Sequence, residues 1–302
     1  MNQEMLKLSN LVKRYDGFTA VDHLSFAVFE GEVFGLLGPN GAGKTTTIRA
    51  VMDIFKPDEG DIAVLGHAPA EARAHVGYLP EERGLYRDLR VLDVLVYLAE
   101  LKGTARSVAH KRALSWLERV ELVEWAGNKV KDLSRGMQQK VQFVASLVHD
   151  PQLLILDEPF AGLDPINVGL LKQLIRELQQ EGKTIVLSAH QMNLVEALCD
   201  RIVLINRGQA VLYGSLADIK EQHAPKTVRL QTDGPADLEG LPGVVRIEPR
   251  DGQVSVLTLA DGSAQDVLRA LVERGVVLKT FEVGTAPLEE IFISVIKEGN
   301  RE

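Results

Sequence analysis

A glycine-rich segment of this sequence has the residue types and the spacing of a phosphate-binding loop. Residues 38–45 match the pattern Gly-x-x-x-x-Gly-Lys-[Ser/Thr]. In such a loop the glycines allow backbone N–H groups to surround phosphates, the lysine reaches the β- and γ-phosphates, and the hydroxyl binds Mg²⁺. The sequence therefore predicts a site for a nucleoside triphosphate with Mg²⁺. Its residues are Gly38, Pro39, Asn40, Gly41, Ala42, Gly43, Lys44, Thr45 and Thr46.

A second motif places two carboxylates after a short apolar run. Residues 153–156 are all leucine or isoleucine, and Asp157 and Glu158 follow them. At the end of a buried strand, Asp157 can hold Mg²⁺ through water, and Glu158 can act as the general base that polarises the attacking water. These two motifs together specify only a P-loop nucleoside triphosphatase, and they leave kinases, helicases, recombinases and transporters open.

The elements that must position these residues follow the order of an α/β fold. The apolar run 33–37 predicts a buried strand before the glycine loop, and a helical pattern over 44–54 follows the loop. Strand and helix patterns alternate from about residue 5 to 222, which predicts a P-loop NTPase core with a mostly parallel sheet. Alternation over 6–29 predicts an antiparallel β subdomain. Helical periodicity at 91–101, 108–120 and 136–148 predicts a helical insert over about residues 84–148.

The sequence after residue 226 predicts a separate small α+β domain. Three strand patterns, at 227–231, 244–249 and 253–259, precede a helix pattern at 264–274 and a strand pattern at 276–283. Asp-Gly at 251–252 predicts a tight hairpin, and Pro287 opens a last helix. A ferredoxin-like arrangement is one candidate. We therefore predict a nucleotide-binding domain over residues 1–222 and an accessory domain over 226–302.

A third motif narrows the class of protein. The segment Leu133-Ser-Arg-Gly-Met-Gln138 lies between Lys44 and Glu158 in the chain and precedes a helix pattern. It resembles the signature Leu-Ser-Gly-Gly-Gln of the ATP-binding subunits of ABC transporters, and the resemblance covers roughly residues 5–222. It implies that the nucleotide is ATP. It also implies that Ser134 and the Gly136 backbone bind the γ-phosphate of ATP held by a second subunit.

The same resemblance assigns further residues and shows where this chain departs from the pattern. It implies that Tyr15 stacks on adenine, that His190 contacts the γ-phosphate, and that Asp164 is a carboxylate at the subunit interface. Glu81 occupies the position where the family usually has a glutamine, and the resemblance implies that it binds the metal ion. Arg135 and Met137 replace the small and the amide residue of the signature.

The function implied by the resemblance is ATP-driven transport. The chain would be the ATP-hydrolysing subunit of an ABC transporter, pairing with a second copy or a related chain and docking on a polytopic membrane subunit. Likeness of the tail to that of some ABC subunits proposed for export favours export. The predicted insert is where the family docks its membrane partner. The candidate contact residues, which would otherwise pack the insert itself, are Leu85, Tyr86, Leu92, Leu95 and Val96.

Composition and the remaining motifs limit the alternatives. The net charge is −8 and no basic stripe is present, which argues against a nucleic-acid partner. The single cysteine, Cys199, favours a reducing compartment. No apolar run reaches the ~18 residues that span a bilayer, so we expect a cytoplasmic protein held at the inner face of the membrane by its partner. One alternative stays open, which is that the chain is a soluble ABC-type ATPase that acts as an interaction machine without a membrane partner. A P-loop GTPase is disfavoured because no Asn-Lys-x-Asp motif occurs.

Overall fold

The computed structural model of the chain describes residues 3–82, 84–223, 226–250, 253–260, 264–284 and 287–299. These residues form two compact units. The first runs to Leu216 and also includes the chain from Val295 onward, and the second comprises Ala217–Ser294. Two of the predicted turn residues, Asp251 and Gly252, lie outside the described residues.

The strands and helices are numbered in chain order. The strands are β1 (Glu4–Tyr15), β2 (Phe18–Phe29), β3 (Val33–Leu37), β4 (Glu59–Val64), β5 (Val76–Leu79), β6 (Leu153–Asp157), β7 (Thr184–Ala189), β8 (Arg201–Asn206), β9 (Gln209–Ser215), β10 (Thr227–Thr232), β11 (Val244–Arg250), β12 (Val254–Leu259) and β13 (Leu278–Val283). The helices are α1 (Lys44–Val51), α2 (Pro69–Ala72), α3 (Val91–Leu101), α4 (Arg106–Arg119), α5 (Arg135–Leu147), α6 (Pro165–Gln180), α7 (Met192–Leu198), α8 (Leu216–Gln222), α9 (Ala264–Glu273) and α10 (Leu288–Gly299).

A six-stranded sheet forms the centre of the first unit. Its order is β5-β6-β7-β3-β8-β9, and β9 alone in this sheet pairs antiparallel with its neighbour. Every residue of β3, β6 and β7 is buried, because these strands are covered on both faces. Parallel strands end at the same edge of a sheet, so the residues that follow β3, β6 and β7 meet there. The predicted α/β class with a mostly parallel sheet is confirmed.

The predicted antiparallel subdomain is a three-stranded sheet of order β2-β1-β4. In β2 alternate residues from Leu24 to Val28 are buried, as the sequence alternation predicts. In β1 the pairing with β2 shifts register, and the neighbouring residues Leu11 and Val12 are both buried. Their apolar side chains join those of β3 and α1 in one core, which includes Leu11, Phe26, Phe34 and Ile48. This core fixes the hairpin between β1 and β2 beside the glycine-rich loop.

Helices α3, α4 and α5 form the predicted helical insert. Of the apolar residues proposed to contact a membrane partner, Leu95 and Val96 are buried within α3 at 0% and 3% exposure. These two assignments are wrong, because helical periodicity shows that a helix has an apolar face but does not show what that face contacts. Leu92 is half-buried, Leu85 is half-buried and Tyr86 is exposed.

The second unit contains a four-stranded antiparallel sheet of order β11-β12-β10-β13. Taken in chain order, this is the strand order of a ferredoxin-like fold, and α9 connects β12 to β13 as that fold requires. The helix that a ferredoxin-like fold has between its first two strands is absent from the described residues 233–243. Gly234, Pro235, Gly240, Pro242 and Gly243 occupy this connection and disfavour a helix. The buried side chain of Leu241 contributes to the core there instead.

Among the described residues, no helix has both the length and the apolar character that crossing a bilayer requires.

Candidate functional site

The glycine-rich loop leaves the end of β3 and leads into α1, as the motif requires. Gly43 is the N-cap of α1 and has φ 109°, which favours glycine. A Cβ atom on Gly43 would lie 2.5 Å from the Ala20 carbonyl oxygen, and one on Gly38 would lie 2.2 Å from the Ile205 carbonyl oxygen. Both positions therefore exclude side chains. The N-terminal end of α1, with its positive dipole, faces the loop and can bind phosphate.

Lys44 is folded back onto the loop. Its Nζ donates to the carbonyl oxygens of Gly38 at 2.8 Å and Pro39 at 3.3 Å. Burial lowers the pKa of Lys44, and the nearby carboxylates of Glu158, Asp157 and Glu81 oppose this shift. The Lys44 ammonium group thus donates to neutral carbonyl oxygens and lies near three carboxylates. Phosphate oxygens of a bound nucleotide can replace the carbonyl oxygens as acceptors.

Asp157 lies at the end of β6 with 0% exposure. The Ser188 hydroxyl on the neighbouring strand β7 donates to Asp157 Oδ1, and the same hydroxyl accepts the Glu158 N–H at 3.0 Å. Asp157 Oδ2 is buried and has no hydrogen-bond partner among the described residues. Burial is the main cause that raises the pKa of this carboxyl, and the charge of Glu81 adds to it, while Ser188, Thr45 and Lys44 lower it.

The unpaired Oδ2 atom is the strongest sign that this site fits a cation. A buried carboxylate oxygen without a partner is costly unless a ligand satisfies it. No group of three or more His, Cys, Asp or Glu side chains in the described part of the chain could hold a metal ion alone. The residues present therefore fit Mg²⁺ that takes Asp157, the Thr45 hydroxyl and nucleotide phosphates as partners, which is how Mg²⁺ is usually bound.

Glu158 and His190 form a contact at the same sheet edge. The Nδ1 atom of His190, which follows β7, lies 2.9 Å from Glu158 Oε2. An ionised carboxylate only accepts, so Nδ1 carries the hydrogen in this contact. The Glu158 side chain is 13% exposed and that of His190 is 53% exposed. Glu158 is therefore partly shielded from solvent and oriented by a histidine, as a general base needs to be.

Glu81 is exposed, and α5 holds the loop that carries it. The Nε2 atom of Gln142 donates to the carbonyl oxygens of Pro80 at 2.9 Å and Glu82 at 3.0 Å, on either side of Glu81. Gln142 belongs to α5, which begins immediately after Ser134. One buried side chain thus connects the predicted signature helix to the loop of the predicted metal ligand.

A cavity of about 420 Å³ brings most of the predicted site together. Residues 40–46 line it, and so do Glu81, Glu158 and His190. The predicted residues that do not line it are Tyr15, Gly38, Pro39, Ser134, Gly136 and Asp157. The resemblance assigns two of these, Ser134 and Gly136, to ATP on another subunit. The chain alone therefore provides a cradle, a candidate base and candidate metal ligands, but not the signature.

Ser134 has a structural role at the start of α5. It is the N-cap residue, and its hydroxyl oxygen accepts the Met137 N–H at 3.3 Å. The hydroxyl hydrogen can still be donated, and the first-turn N–H groups of Arg135 and Gly136 have no acceptor within the helix. Asp164 similarly caps α6 by accepting the N–H groups of Ile166 and Asn167, each at 3.0 Å.

Tyr15 lies beside the cavity without lining it. Its ring stacks on that of Phe18, with 6.2 Å between the ring centroids, and Phe18 lines the cavity with 58% of its surface exposed. Sequence reasoning missed Phe18, although an aromatic residue at the turn of the first hairpin was a usable signal. It also missed Ser188 and Gln142. A polar residue in the apolar strand β7 indicated Ser188, whereas no local pattern indicated Gln142.

Comparison with families of known proteins gives matches over most of the chain. The family described as ABC transporter matches residues 21–161, and the family described as ATP-binding protein DrrA1-3-like, C-terminal domain, matches residues 214–296. A family described as AAA domain, putative AbiEii toxin, type IV TA system, matches residues 128–196.

Three relatives carry related descriptions. An uncharacterized ABC transporter ATP-binding protein of Bacillus subtilis, YhaQ, is 38% identical over 97% of this chain and 98% of its own length. A protein of Methanocaldococcus jannaschii with the same description, MJ1023, is 48% identical over 71% of this chain and 79% of its own length. The Nod factor export ATP-binding protein I of Sinorhizobium fredii is 37% identical over 79% of this chain and 71% of its own length.

Solved structures show the same fold over about seven tenths of the chain. One described as the ATP-binding subunit of an ABC transporter has a TM-score of 0.68 and 32% identity, covering 72% of this chain and 92% of that one. A dimeric ATP-binding cassette, MJ0796, in a post-hydrolysis state with ADP and Pi has a TM-score of 0.65 and 26% identity, covering 70% of this chain and 99% of that one.

Proposed function

Because the chain belongs to the family of ABC transporter ATP-binding proteins, we propose that it drives transport through a separate membrane subunit. As a member of this family it is an ATP-hydrolysing P-loop protein. The observation that carries the proposal is the division of its site. The cavity holds the cradle, Glu81, Glu158 and His190, whereas Ser134 and Gly136 lie elsewhere on the chain. A second protomer placed head to tail supplies the missing signature.

In the proposed reaction, the chain's own residues bind ATP and activate water. The loop N–H groups and Lys44 bind the β- and γ-phosphates, with Lys44 exchanging its carbonyl partners for phosphate oxygens. Glu158 accepts a proton from the attacking water while the water oxygen bonds to the γ-phosphorus. The bond from that phosphorus to the β-phosphate oxygen breaks, and ADP and phosphate result. His190 keeps the Glu158 carboxylate oriented toward the water.

Thr45, Asp157 and Glu81 are the proposed residues for Mg²⁺. The ion, when bound, neutralises charge on the β- and γ-phosphates and on the departing oxygen. A carboxylate at Glu81 in place of the usual glutamine keeps an oxygen ligand and adds negative charge. Ser188 on β7 holds Asp157 and the backbone of Glu158 in position through its two hydrogen bonds.

Replacing Ser188 with alanine tests this support of the metal site. The change removes the donor to Asp157 and the acceptor of the Glu158 N–H, so the Mg²⁺ concentration for half-maximal hydrolysis should rise about tenfold or more. Titration of ATPase activity with Mg²⁺ measures this. Ser146→Ala is the matched control, because Ser146 is equally buried but donates within α5 to Phe143. An unchanged Mg²⁺ requirement in Ser188→Ala would contradict the role.

The insert supplies the proposed docking surface for the membrane subunit. A groove of about 280 Å³ lies between the central sheet and α3 and α5, and its wall is largely apolar. Leu85, Leu98 and Leu101 line it, and Leu101 is 62% exposed. An apolar groove beside the Glu81 loop allows a bound partner to influence the ATP site.

The names of relatives support export as the direction of transport. The Nod factor export ATP-binding protein I is one such relative, and the tail matches the C-terminal domain of DrrA1-3-like ATP-binding proteins. We propose the cytoplasmic face of the membrane as the location of the chain, since ATP is available there. Two copies, or this chain and a related one, form the dimer.

Purification of the tagged chain from its own membranes tests the function. We expect a polytopic membrane protein to co-purify, and we expect ATP hydrolysis by the reconstituted pair to exceed that of the isolated chain. Glu158→Gln, expressed at the level of wild type, shows whether recovery of the membrane protein requires only ATP binding or also ATP hydrolysis. Full ATPase activity with no polytopic protein recovered would instead favour a soluble ABC-type ATPase.

A further inference from the structure

We propose that Glu81 makes the chain select ATP that carries a divalent cation and reject metal-free ATP. The inference rests on the proposed function, because it takes the cavity of about 420 Å³ as the ATP site. It concerns the binding of the nucleotide, which precedes hydrolysis. The observations that carry it are the charges around the cavity and the way in which the Glu81 loop is held.

The cavity has more carboxylates than cations. Among the described residues that line it, Lys44 is the only lysine or arginine, whereas Glu81 and Glu158 both line it. Asp157 precedes Glu158 at the end of β6 and is fully buried. Three carboxylates therefore surround one ammonium group, and the phosphates of metal-free ATP would bring further negative charge among them.

The charge of Glu81 acts on three groups near the cavity. Burial lowers the pKa of Lys44, and Glu81 is one of the carboxylates that oppose this shift. Burial raises the pKa of Asp157, and Glu81 adds to the rise. Burial, with Asp157 and Glu81, also raises the pKa of Tyr78 to about 12. These groups belong to α1, β6 and β5, so Glu81 is near enough to repel phosphates that Lys44 binds.

Gln142 keeps the Glu81 loop at the cavity. Its Nε2 atom donates to the carbonyl oxygens on both sides of Glu81, at 2.9 Å to Pro80 and at 3.0 Å to Glu82. Gln142 is 4% exposed, so water competes little for these two bonds. A loop movement that withdrew the Glu81 carboxylate from the cavity would break them. Metal-free ATP therefore meets this charge in place.

A divalent cation reverses the sign of the interaction. The Oδ2 atom of Asp157 is buried without a hydrogen-bond partner in the described part of the chain, and Glu81 offers a second carboxylate. Within the same residues no group of three His, Cys, Asp or Glu side chains could hold a metal ion. The protein thus needs phosphate oxygens to complete a cation site. Cation and nucleotide each lack a good site without the other, and linkage makes this dependence mutual.

A glutamine at position 81, which the resemblance leads one to expect, would give a weaker dependence on the cation. The neutral amide keeps an oxygen that can bind the cation, but it has no net charge that repels phosphates. A site with glutamine has one carboxylate fewer around the same lysine, so it accepts metal-free ATP more readily. The departure from the family pattern at Glu81 therefore changes which form of ATP binds.

Titration with a fluorescent, non-hydrolysable ATP analogue tests the inference, once with excess Mg²⁺ and once with excess EDTA. For wild type we expect affinity at least about tenfold lower in EDTA than with Mg²⁺. Glu81→Gln should bind the analogue in EDTA at least about tenfold more tightly than wild type does, because one repulsive charge is gone. With Mg²⁺ the two proteins should agree within about threefold, since the lost repulsion and the lost attraction to the cation offset each other. This agreement also shows that the variant folds.

Glu82→Gln is the matched control. It removes the same charge from the neighbouring residue of the same loop, which is exposed but does not line the cavity. We expect it to leave the affinity in EDTA unchanged.

A labelled ADP gives a readout that a structural effect of the substitution would not produce. Metal-free ADP carries less negative charge than metal-free ATP. Removal of a repulsive charge should therefore improve the binding of ADP in EDTA less than the binding of ATP. A rearranged loop would change the affinity of both nucleotides alike.

Three results would overturn the inference. They are equal affinities of wild type and Glu81→Gln for the ATP analogue in EDTA, an equal gain in Glu82→Gln, and an equal gain for ADP. Failure of the proposed function gives a different result. If wild type did not bind the analogue even with Mg²⁺, the cavity would not be the ATP site. If no polytopic protein were recovered with the chain, the role in transport would fail while this binding measurement stayed valid.

Discussion

Replacing Glu158 with glutamine should slow ATP hydrolysis about 10²–10⁴-fold while ATP binding persists. The amide has the size of the carboxylate but cannot accept a proton from water at neutral pH. Because Lys44 and the loop N–H groups bind the phosphates, removal of the base should leave nucleotide affinity close to that of wild type. A protein that binds ATP without hydrolysing it should also accumulate as a closed dimer.

The backbone at Glu158 supports this expectation. Glu158 has φ 49°, a left-handed conformation that non-glycine residues adopt rarely, at a cost of ~1–3 kcal/mol. Its N–H donates to Ser188 and its side chain contacts His190. The chain therefore turns sharply after β6, and this turn places the carboxylate in the ATP cavity instead of on the strand.

Glu81→Gln is the matched control for this experiment. It makes the same change from carboxylate to amide in the same cavity, and it introduces the residue that the resemblance leads one to expect. Single-turnover and steady-state hydrolysis should stay within about tenfold of wild type in Glu81→Gln, since an amide oxygen can still bind Mg²⁺. Wild-type turnover in Glu158→Gln would exclude Glu158 as the base. Equal losses in both variants would show that loss of negative charge in the cavity, not loss of the base, limits the rate.

The parts of this site that the sequence predicted are those set by local backbone geometry. The loop from Gly38 to Thr46 and the pair Asp157 and Glu158 each follow one buried strand, so the motif and its structural context are contiguous in the chain. His190 was predicted from the family resemblance alone, and the structure places it beside Glu158 because β7 lies next to β6 in a parallel sheet and their ends meet. The parallel sheet thus brings together motifs that are far apart in the sequence, because each of them follows the end of a neighbouring strand.

The parts that the sequence did not predict depend on contacts between distant segments. Gln142 bonds to the carbonyls beside Glu81, across about sixty residues of chain, and no periodicity encodes such a pair. Leu95 and Val96 were assigned to a docking surface, but they pack inside the insert. The periodicity of the sequence predicted that α3 has an apolar face. Which residues of that face stay exposed is determined by the packing of α3 against its neighbours.

The missing helix in the second unit has a similar cause. The strand order was compatible with a ferredoxin-like fold, yet glycine and proline between β10 and β11 disfavour the first helix of that fold. The turn between β11 and β12, predicted from Asp251 and Gly252, stays a prediction because both residues lie outside the described ranges.

Replacing Ser134 with arginine should reduce hydrolysis about 10²–10³-fold, the effect of losing a donor that stabilises a developing charge. Ser134 is exposed and does not line the ATP cavity of its own chain. Binding of ATP by the separated protomer should therefore be unchanged, in contrast to Lys44→Ala, which should lose it. Ser107→Arg is the matched control, because Ser107 is an exposed serine at the start of α4 in the same insert. Fluorescence titration with a labelled nucleotide measures binding, and phosphate release measures hydrolysis.

A mixture of the Ser134→Arg and Lys44→Ala variants distinguishes a site that two chains share from a site that each chain completes alone. In a head-to-tail dimer of Ser134→Arg with Lys44→Ala, one site combines the intact loop of the first chain with the intact signature of the second. The mixture should thus hydrolyse ATP faster than either variant alone, with activity that rises as the protein concentration drives pairing. If each chain completed its own site, no mixing ratio would restore activity. Loss of ATP binding in the Ser134→Arg protomer would contradict the shared site as well, since Ser134 contacts only the nucleotide of the opposite chain in this arrangement.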